Sequence, residues 1–169
     1  MSIARRTLFR ALVVFAITAA ACFAIERGEP APHFVAKTLD GEKLTSESLK
    51  GKVVLIEFWA TWCPPCRQDA PAVESIIKDF EKQGLVVLAV NMGEPRHKVK
   101  KYLEESPKSA KVVLAQDTTL AAICQANAYP LYVVVDREGT VAGTQRGAGG
   151  ERALRRLIAQ AGLESADEN

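Results

Sequence analysis

Four stretches of the chain are almost unbroken apolar runs: "KVVLIEFWA" at 52–60, "LVVLAVN" at 85–91, "KVVLA" at 111–115 and "LYVVVD" at 131–136. Runs this short, rich in β-branched and aromatic residues, predict strands buried on both faces of a parallel or mixed sheet. Between them the period changes. From Pro64 to about Gln83 the apolar residues Ala70, Val73, Ile76, Ile77 and Phe80 recur at helical spacing, and Gly84 supplies the stop. Further helices are predicted from about Arg96 to Glu105, from Thr118 to about Gln125, and over "ERALRRLIAQA" at 151–161. "HFVAKTLDGEKLTS" at 33–46 predicts a hairpin turning at Asp40-Gly41, "SESLKG" a single helical turn, and "DREGT" a second hairpin. Strands alternating with helices and closing on a hairpin predict an α/β domain, one mixed sheet flanked by helices, over residues 33–163.

Its N-terminus is of another kind. Arg5, Arg6 and Arg10 precede "ALVVFAITAAACFAI", 15 residues with a single polar side chain. That is a charged segment followed by an apolar one, so residues 1–25 are expected to be a signal peptide or membrane anchor and 26–32 a linker. The run is shorter than the ~20 residues a membrane helix usually needs, although Leu8 and Phe9 extend it if Arg10 snorkels. Ala19 and Ala21 suit a cleavage site, and Cys22 stands where a lipoprotein carries its acyl chains, so cleavage, anchoring and lipidation are three open readings. The tail, residues 164–169, is expected to be disordered.

Charge changes the picture only by exclusion. Setting residues 1–25 aside removes three arginines and no acid from the net of +2, leaving 19 basic against 20 acidic side chains, a net of −1. Such a domain carries no basic footprint for nucleic acid. Export would place it outside the cytoplasm, in the periplasm or on the outer face of the membrane, where disulfides persist unless actively reduced.

The candidate chemistry lies in "FWATWCPPCRQDAP" at 58–71. A structural zinc site needs four ligands, and His33 and His97 both suit the surface, so no metal is expected. A staple closing two residues removes little chain entropy. Redox exchange remains. Cys63 falls at the junction of a buried strand and a helix, at the N-cap, where a thiolate meets the positive end of the helix dipole and a first-turn amide. Pro64 and Pro65 are tolerated there but carry no N–H, which leaves the amide of Cys66 as the nearest donor. Cys63 is expected to have a lowered pKa, toward ~7 or below, and to attack; Cys66, one turn in and more buried, is expected to resolve.

"VVLIEFWATWCPPCRQDAP", "GLVVLAVNMGEPRHKVKKYL" and "AYPLYVVVDREGTV" together resemble the thioredoxin-like reductases of the TlpA/ResA type, which overlap the redoxin group. The likeness spans about residues 30–162, and its most specific part is Trp-Cys-Pro-Pro-Cys between an apolar strand and a helix with an internal proline, Pro71. It implies a thioredoxin fold with an N-terminal β-hairpin extension, thiol-disulfide exchange without a bound cofactor, protein disulfides as substrates, a membrane thiol-disulfide protein as electron donor, and often a place in cytochrome c maturation. It also implies roles for further residues. Glu57 matches a buried acid that takes the proton of the resolving thiol, and burial should raise its pKa. Pro130 matches a cis-proline packed against the active disulfide, while Tyr129 and Leu131 depart from the residues common beside it and bear on substrate choice. Trp62 is expected to flank Cys63 and shield a mixed disulfide.

Two other readings stay open. A peroxidase of the peroxiredoxin type would want a threonine three residues before its cysteine and a supporting arginine; Thr61 is two before Cys63, and Arg67 follows the pair. A copper-binding thiol protein would want a histidine near the pair. Cys124, within "LAAICQA", is expected to be a small buried hydrophobe. The basic cluster of Arg96, Lys98, Lys100 and Lys101, with Glu94, Glu104 and Glu105 close by, is expected to be a solvated face.

Overall fold

In the computed structural model, which describes residues 25–164, the four apolar runs form the middle of a seven-stranded sheet. Residues 1–24 with Cys22, and residues 165–169, lie outside the described residues, and with them most of the expected leader and tail. The strands are β1 (Val35–Thr38), β2 (Lys43–Thr45), β3 (Val53–Trp59), β4 (Leu85–Asn91), β5 (Lys111–Thr118), β6 (Leu131–Val135) and β7 (Val141–Arg146), in the order β2-β1-β5-β4-β3-β6-β7. β3 runs parallel to β4 and antiparallel to β6, and β4 runs parallel to β5. The N-terminal hairpin β1–β2 continues the sheet beyond β5.

Because side chains alternate along a strand, β3 feeds two cores. Val53, Leu55 and Trp59 meet Val73, Ile76, Val99, Leu154 and Ile158 from α1 (Pro64–Phe80), α2 (Arg96–Glu105) and α4 (Gly150–Ala159). Val54, Ile56 and Phe58 meet Leu49, Leu120 and Cys124 on the opposite face, which carries the one-turn helix α3 (Leu120–Ile123). β3 is buried at every position, as a strand covered on both faces must be.

The structure departs from the expected elements where polar side chains make local bonds. "SESLKG" forms successive turns rather than a helical turn. Ser48 Oγ accepts the Thr45 N–H and Thr45 Oγ1 accepts the Ser48 N–H, so hydroxyls take the place of backbone partners. β5 runs three residues past the expected end because Thr118 pairs with Ala36 of β1, and this leaves α3 only Leu120–Ile123 instead of Thr118–Gln125. Helix α1 closes at Phe80 and a 3₁₀ turn, Glu81–Gln83, carries the chain to Gly84, whose φ of 94° suits only glycine well. Part of the expected linker lies along the sheet: the Gly28 N–H donates to Val141 O at 2.8 Å and the Ala31 N–H to Gly139 O at 2.7 Å.

One buried side chain joins the two helices behind the site. Helix α4 starts at Gly149-Gly150 and has no side-chain cap of its own, and Asp69 of α1 supplies one, accepting from the Gly149 and Gly150 N–H groups, each at 3.0 Å. The Tyr132 hydroxyl donates to the same carboxylate at 3.2 Å, and desolvation of that phenol, then the charges of Glu57 and Asp69, push its pKa up. A Cβ on Gly149 would stand 2.7 Å from the Ala153 Cβ, so the close approach needs glycine. Asp69→Ala leaves three donors facing one emptied site and is expected to destabilise by about 3 kcal/mol in chemical denaturation. Asp69→Asn, which keeps one acceptor oxygen, loses less.

Candidate active site

β3 ends at Trp59, and four residues later the chain enters α1 with Cys63 at its N-cap in extended conformation, φ −84° and ψ 105°. Pro64 and Pro65 fill the first two helical positions without N–H groups, so the first amide available is that of Cys66, and it donates to Cys63 Sγ at 3.2 Å. The two sulfurs are joined as a disulfide, with Cα atoms 5.3 Å apart. The sequence predicts Cys66 to be the more buried of the pair. Both are 3% exposed, because Cys63 packs into the same core as Trp59 and Ala60 while its neighbour Trp62 turns outward at 58%. The surface around the pair is therefore aromatic: Trp62 meets Tyr129 edge to face, centroids 6.2 Å apart, and the Tyr129–Pro130 peptide is cis, with Pro130 buried.

Glu57 lies on the same face of β3 as Trp59 and is fully buried. Desolvation raises its pKa; Lys108, whose ammonium donates to Oε2 at 3.1 Å and Oε1 at 3.4 Å, pulls the other way, and the charges of Glu74 and Asp69 on α1 add to the rise. The Lys108 ammonium also sits 4.7 Å from the centroid of the Trp59 ring, a cation–π contact. Lys108 is absent from the sequence reading, since it lies in the aperiodic "ESPKSAK". The one signal was indirect: a carboxylate inside an apolar strand needs a cation from somewhere.

A third buried acid, after Asp69 and Glu57, departs from its expected place. Glu94, expected on a solvated basic face, is 5% exposed and sits beneath the loop that carries Cys63. It accepts the Thr61 N–H and the Thr61 hydroxyl, both at 2.6 Å, and the Asn91 amide at 2.9 Å, and it pairs with Lys98 at 2.7 Å. Burial alone would raise its pKa, but bonds from Lys98, Thr61 and Asn91 outweigh desolvation and hold it at about 2. Arg67 Nη1 donates to the Thr61 carbonyl at 2.9 Å. Thr61 and Arg67, the pair a peroxidase would turn toward its thiol, are thus bonded to the loop and to Glu94.

Cys124 is a free, buried thiol in the core on the far face of the sheet from Cys63 and Cys66, and desolvation pushes its pKa up to about 12. His33 is exposed and bonded to Glu47 at 2.6 Å, and His97 is exposed on α2. Among the described residues no group of His, Cys, Asp or Glu is arranged to hold a metal ion, and no helix is long and apolar enough to cross a membrane.

Comparison with known proteins agrees with this geometry. The AhpC/TSA family profile matches residues 27–144. The thiol-disulfide oxidoreductase ResA of Bacillus subtilis is 32% identical over 69% of this chain and 65% of its own length. The thioredoxin-like protein YneN of the same organism is 36% identical over 69% of each chain. The chain thus spans about two thirds of the length of these relatives. In three dimensions, a thiol:disulfide interchange protein of the thioredoxin family from Chlorobium tepidum superposes with a TM-score of 0.71 at 30% identity, covering 80% of this chain and 97% of that one. The fold is that of thioredoxin.

The depressed pKa of Glu94 fixes a pH dependence. A carboxylate at about 2 in the folded chain and near 4.5 unfolded adds stability above the higher value and loses it as pH falls toward the lower. Unfolding free energies of wild type and Glu94→Gln are expected to differ by roughly 3 kcal/mol at pH 6 and to converge by pH 2. A gap that stays constant from pH 6 to pH 2 would show that Glu94 is not held ionised by this network.

Proposed function

The chain belongs to the AhpC/TSA family, among its thioredoxin-fold thiol-disulfide oxidoreductases, and from that premise we propose that it reduces protein disulfides outside the cytoplasm with the Cys63–Cys66 pair. The observation that carries the reading is the bond from the Cys66 amide to Cys63 Sγ at the mouth of α1. A thiolate at that point is favoured by the helix dipole and by one charge-assisted hydrogen bond. Cys63 in its reduced form attacks one sulfur of a substrate disulfide, and the substrate's other sulfur leaves as a thiolate that takes a proton from water. Cys66 then gives its proton to the Glu57 carboxylate and attacks Cys63 Sγ. That step forms the Cys63–Cys66 disulfide and releases the second substrate sulfur. Two electrons have passed to the substrate, and a membrane thiol-disulfide protein returns the pair to the dithiol.

Trp62 and Tyr129 form the aromatic surface on which the substrate rests, with Pro130 beside them. Residues 1–25 act as export signal or anchor, with 26–32 leading into the domain at 33–163; the basic and then apolar N-terminus supports this. Cytochrome c assembly is the setting that the resemblance to the TlpA/ResA type favours.

Reduction of insulin disulfides separates the roles. Wild type is expected to turn over with dithiothreitol as donor, Cys63→Ser to lose activity to background, and Cys66→Ser to accumulate a mixed disulfide visible by mass spectrometry. Turnover by Cys63→Ser would overturn the assignment of the nucleophile. Glu57→Gln is expected to slow substrate release about 10²-fold near neutral pH, the usual scale of general-base help.

A further inference from the structure

A proton handed to Glu57 arrives at a carboxylate with no surface. Glu57 is fully buried, and its cation Lys108 has a side chain only 6% exposed, closed on one side by the Trp59 ring. A substrate lying on Trp62 and Tyr129 would cover the mouth of the site during the very step that loads the proton. Some other way out is needed.

Lys108 has one. It lines a cleft of about 370 Å³ whose other walls are Leu39 and Asp40, at the turn of the N-terminal hairpin, with Leu103 and Glu104 at the end of α2 and Pro107 just after it. None of Cys63, Trp62, Tyr129 or Pro130 lines this cleft. The hairpin wall is held in place, since the Leu39 N–H donates to Val112 O of β5 at 2.8 Å. Apolar side chains narrow the cleft, while Asp40, Lys100 and Glu104 give it exchangeable groups facing water.

The geometry points to this cleft as the proton port of Glu57, with Lys108 as the carrier between the buried carboxyl and solvent. The inference rests on Glu57 being the base for Cys66. In the step, the Lys108 ammonium gives one proton to water in the cleft and recovers one from the Glu57 carboxyl, so the ion pair is restored and one proton has left the protein. The hairpin extension and α2 then have a part in turnover, since both wall the cleft from outside the strand and helix that carry the cysteines.

Leu39→Trp and Leu103→Trp fill the cleft from opposite walls without touching Glu57 or the disulfide. Both positions are only partly buried, so at least one variant is expected to fold with a near-native melting temperature. Steady-state release of thiols from insulin over many turnovers with excess dithiothreitol, in H₂O and D₂O, is the measurement, beside the reduction potential against glutathione. The expected result is release slowed about tenfold, a part of the 10²–10⁴ that acid–base help supplies. A larger solvent isotope effect and an unchanged potential should accompany it, because a port affects rate and not equilibrium. Release at the wild-type rate in the folded variants, while Glu57→Gln slows it, overturns the port and leaves the base in place. Slower release with a shifted potential also overturns it, since the substitutions would then be acting on the disulfide. Release at the wild-type rate in Glu57→Gln removes the base, and the port with it.

Discussion

A helix that begins with two prolines has few amides to offer, and here the one within reach meets a sulfur. The first four N–H groups of any helix lack helical partners, and α1 loses two of them to Pro64 and Pro65. What is left for Cys63 is the Cys66 amide, on the residue that also carries the second sulfur. Capping and disulfide closure are thus set by the same turn of backbone. The energetic consequence has a direction. Every amide that bonds the thiolate stabilises the reduced pair and makes the disulfide a stronger oxidant, about 30 mV for each 1.4 kcal/mol. By withholding two donors, the prolines limit that stabilisation, and the direction of their effect is the one that the reductant role proposed above calls for.

Beneath that turn lie two buried carboxylates with opposite fates. Glu57 is fully buried with one cation as its partner, and desolvation wins, so its proton affinity rises. Glu94 is nearly as buried, yet it receives the Thr61 amide and hydroxyl, the Asn91 amide and the Lys98 ammonium, and its proton affinity falls. Burial sets the cost for both, and the number of donors decides the sign. The difference suits the mechanism proposed above, in which Glu57 has to take up a proton and should bind it well, whereas Glu94, which holds the Thr61–Cys63 loop, should stay charged.

These two acids also mark how far the sequence could be read. The strands, α1 and the Cys63 N-cap were legible because each follows from local rules: an apolar run, a 3.6-residue period, two prolines that can stand only at a helix start. Glu57 was legible as an anomaly within "KVVLIEFWA", and the resemblance supplied its role. Lys108 was not legible, because its partner is 51 residues away and its own surroundings have no period. Glu94 was misread for a related reason: next to Arg96 and Lys98 it looks like one charge among many, and only the fold brings Thr61, 33 residues earlier, onto it. The end of β5 and the shortness of α3 were set by pairing with β1, a long-range contact that overrides the polar "QDT". Buried polar pairs, in short, are products of topology, and composition does not announce them.

The same topology gives a purpose to the segments outside the core of the fold. A sheet of this kind has two edges, and an open edge invites pairing with other chains. At one end β1 and β2 extend the sheet beyond β5, ending on a strand of three residues that carries Lys43. At the other, residues 28–31 lie along the start of β7. Both additions come from the N-terminal part of the described residues, which thus forms one edge of the sheet and covers the start of the other. Its hairpin turn reaches the cleft over Lys108. An N-terminal extension that served only as a tether would not need to be packed there. Its turn helps wall the cleft that Lys108 lines, beside the buried Glu57–Lys108 pair, while the aromatic contact of Trp62 with Tyr129 lies outside that cleft.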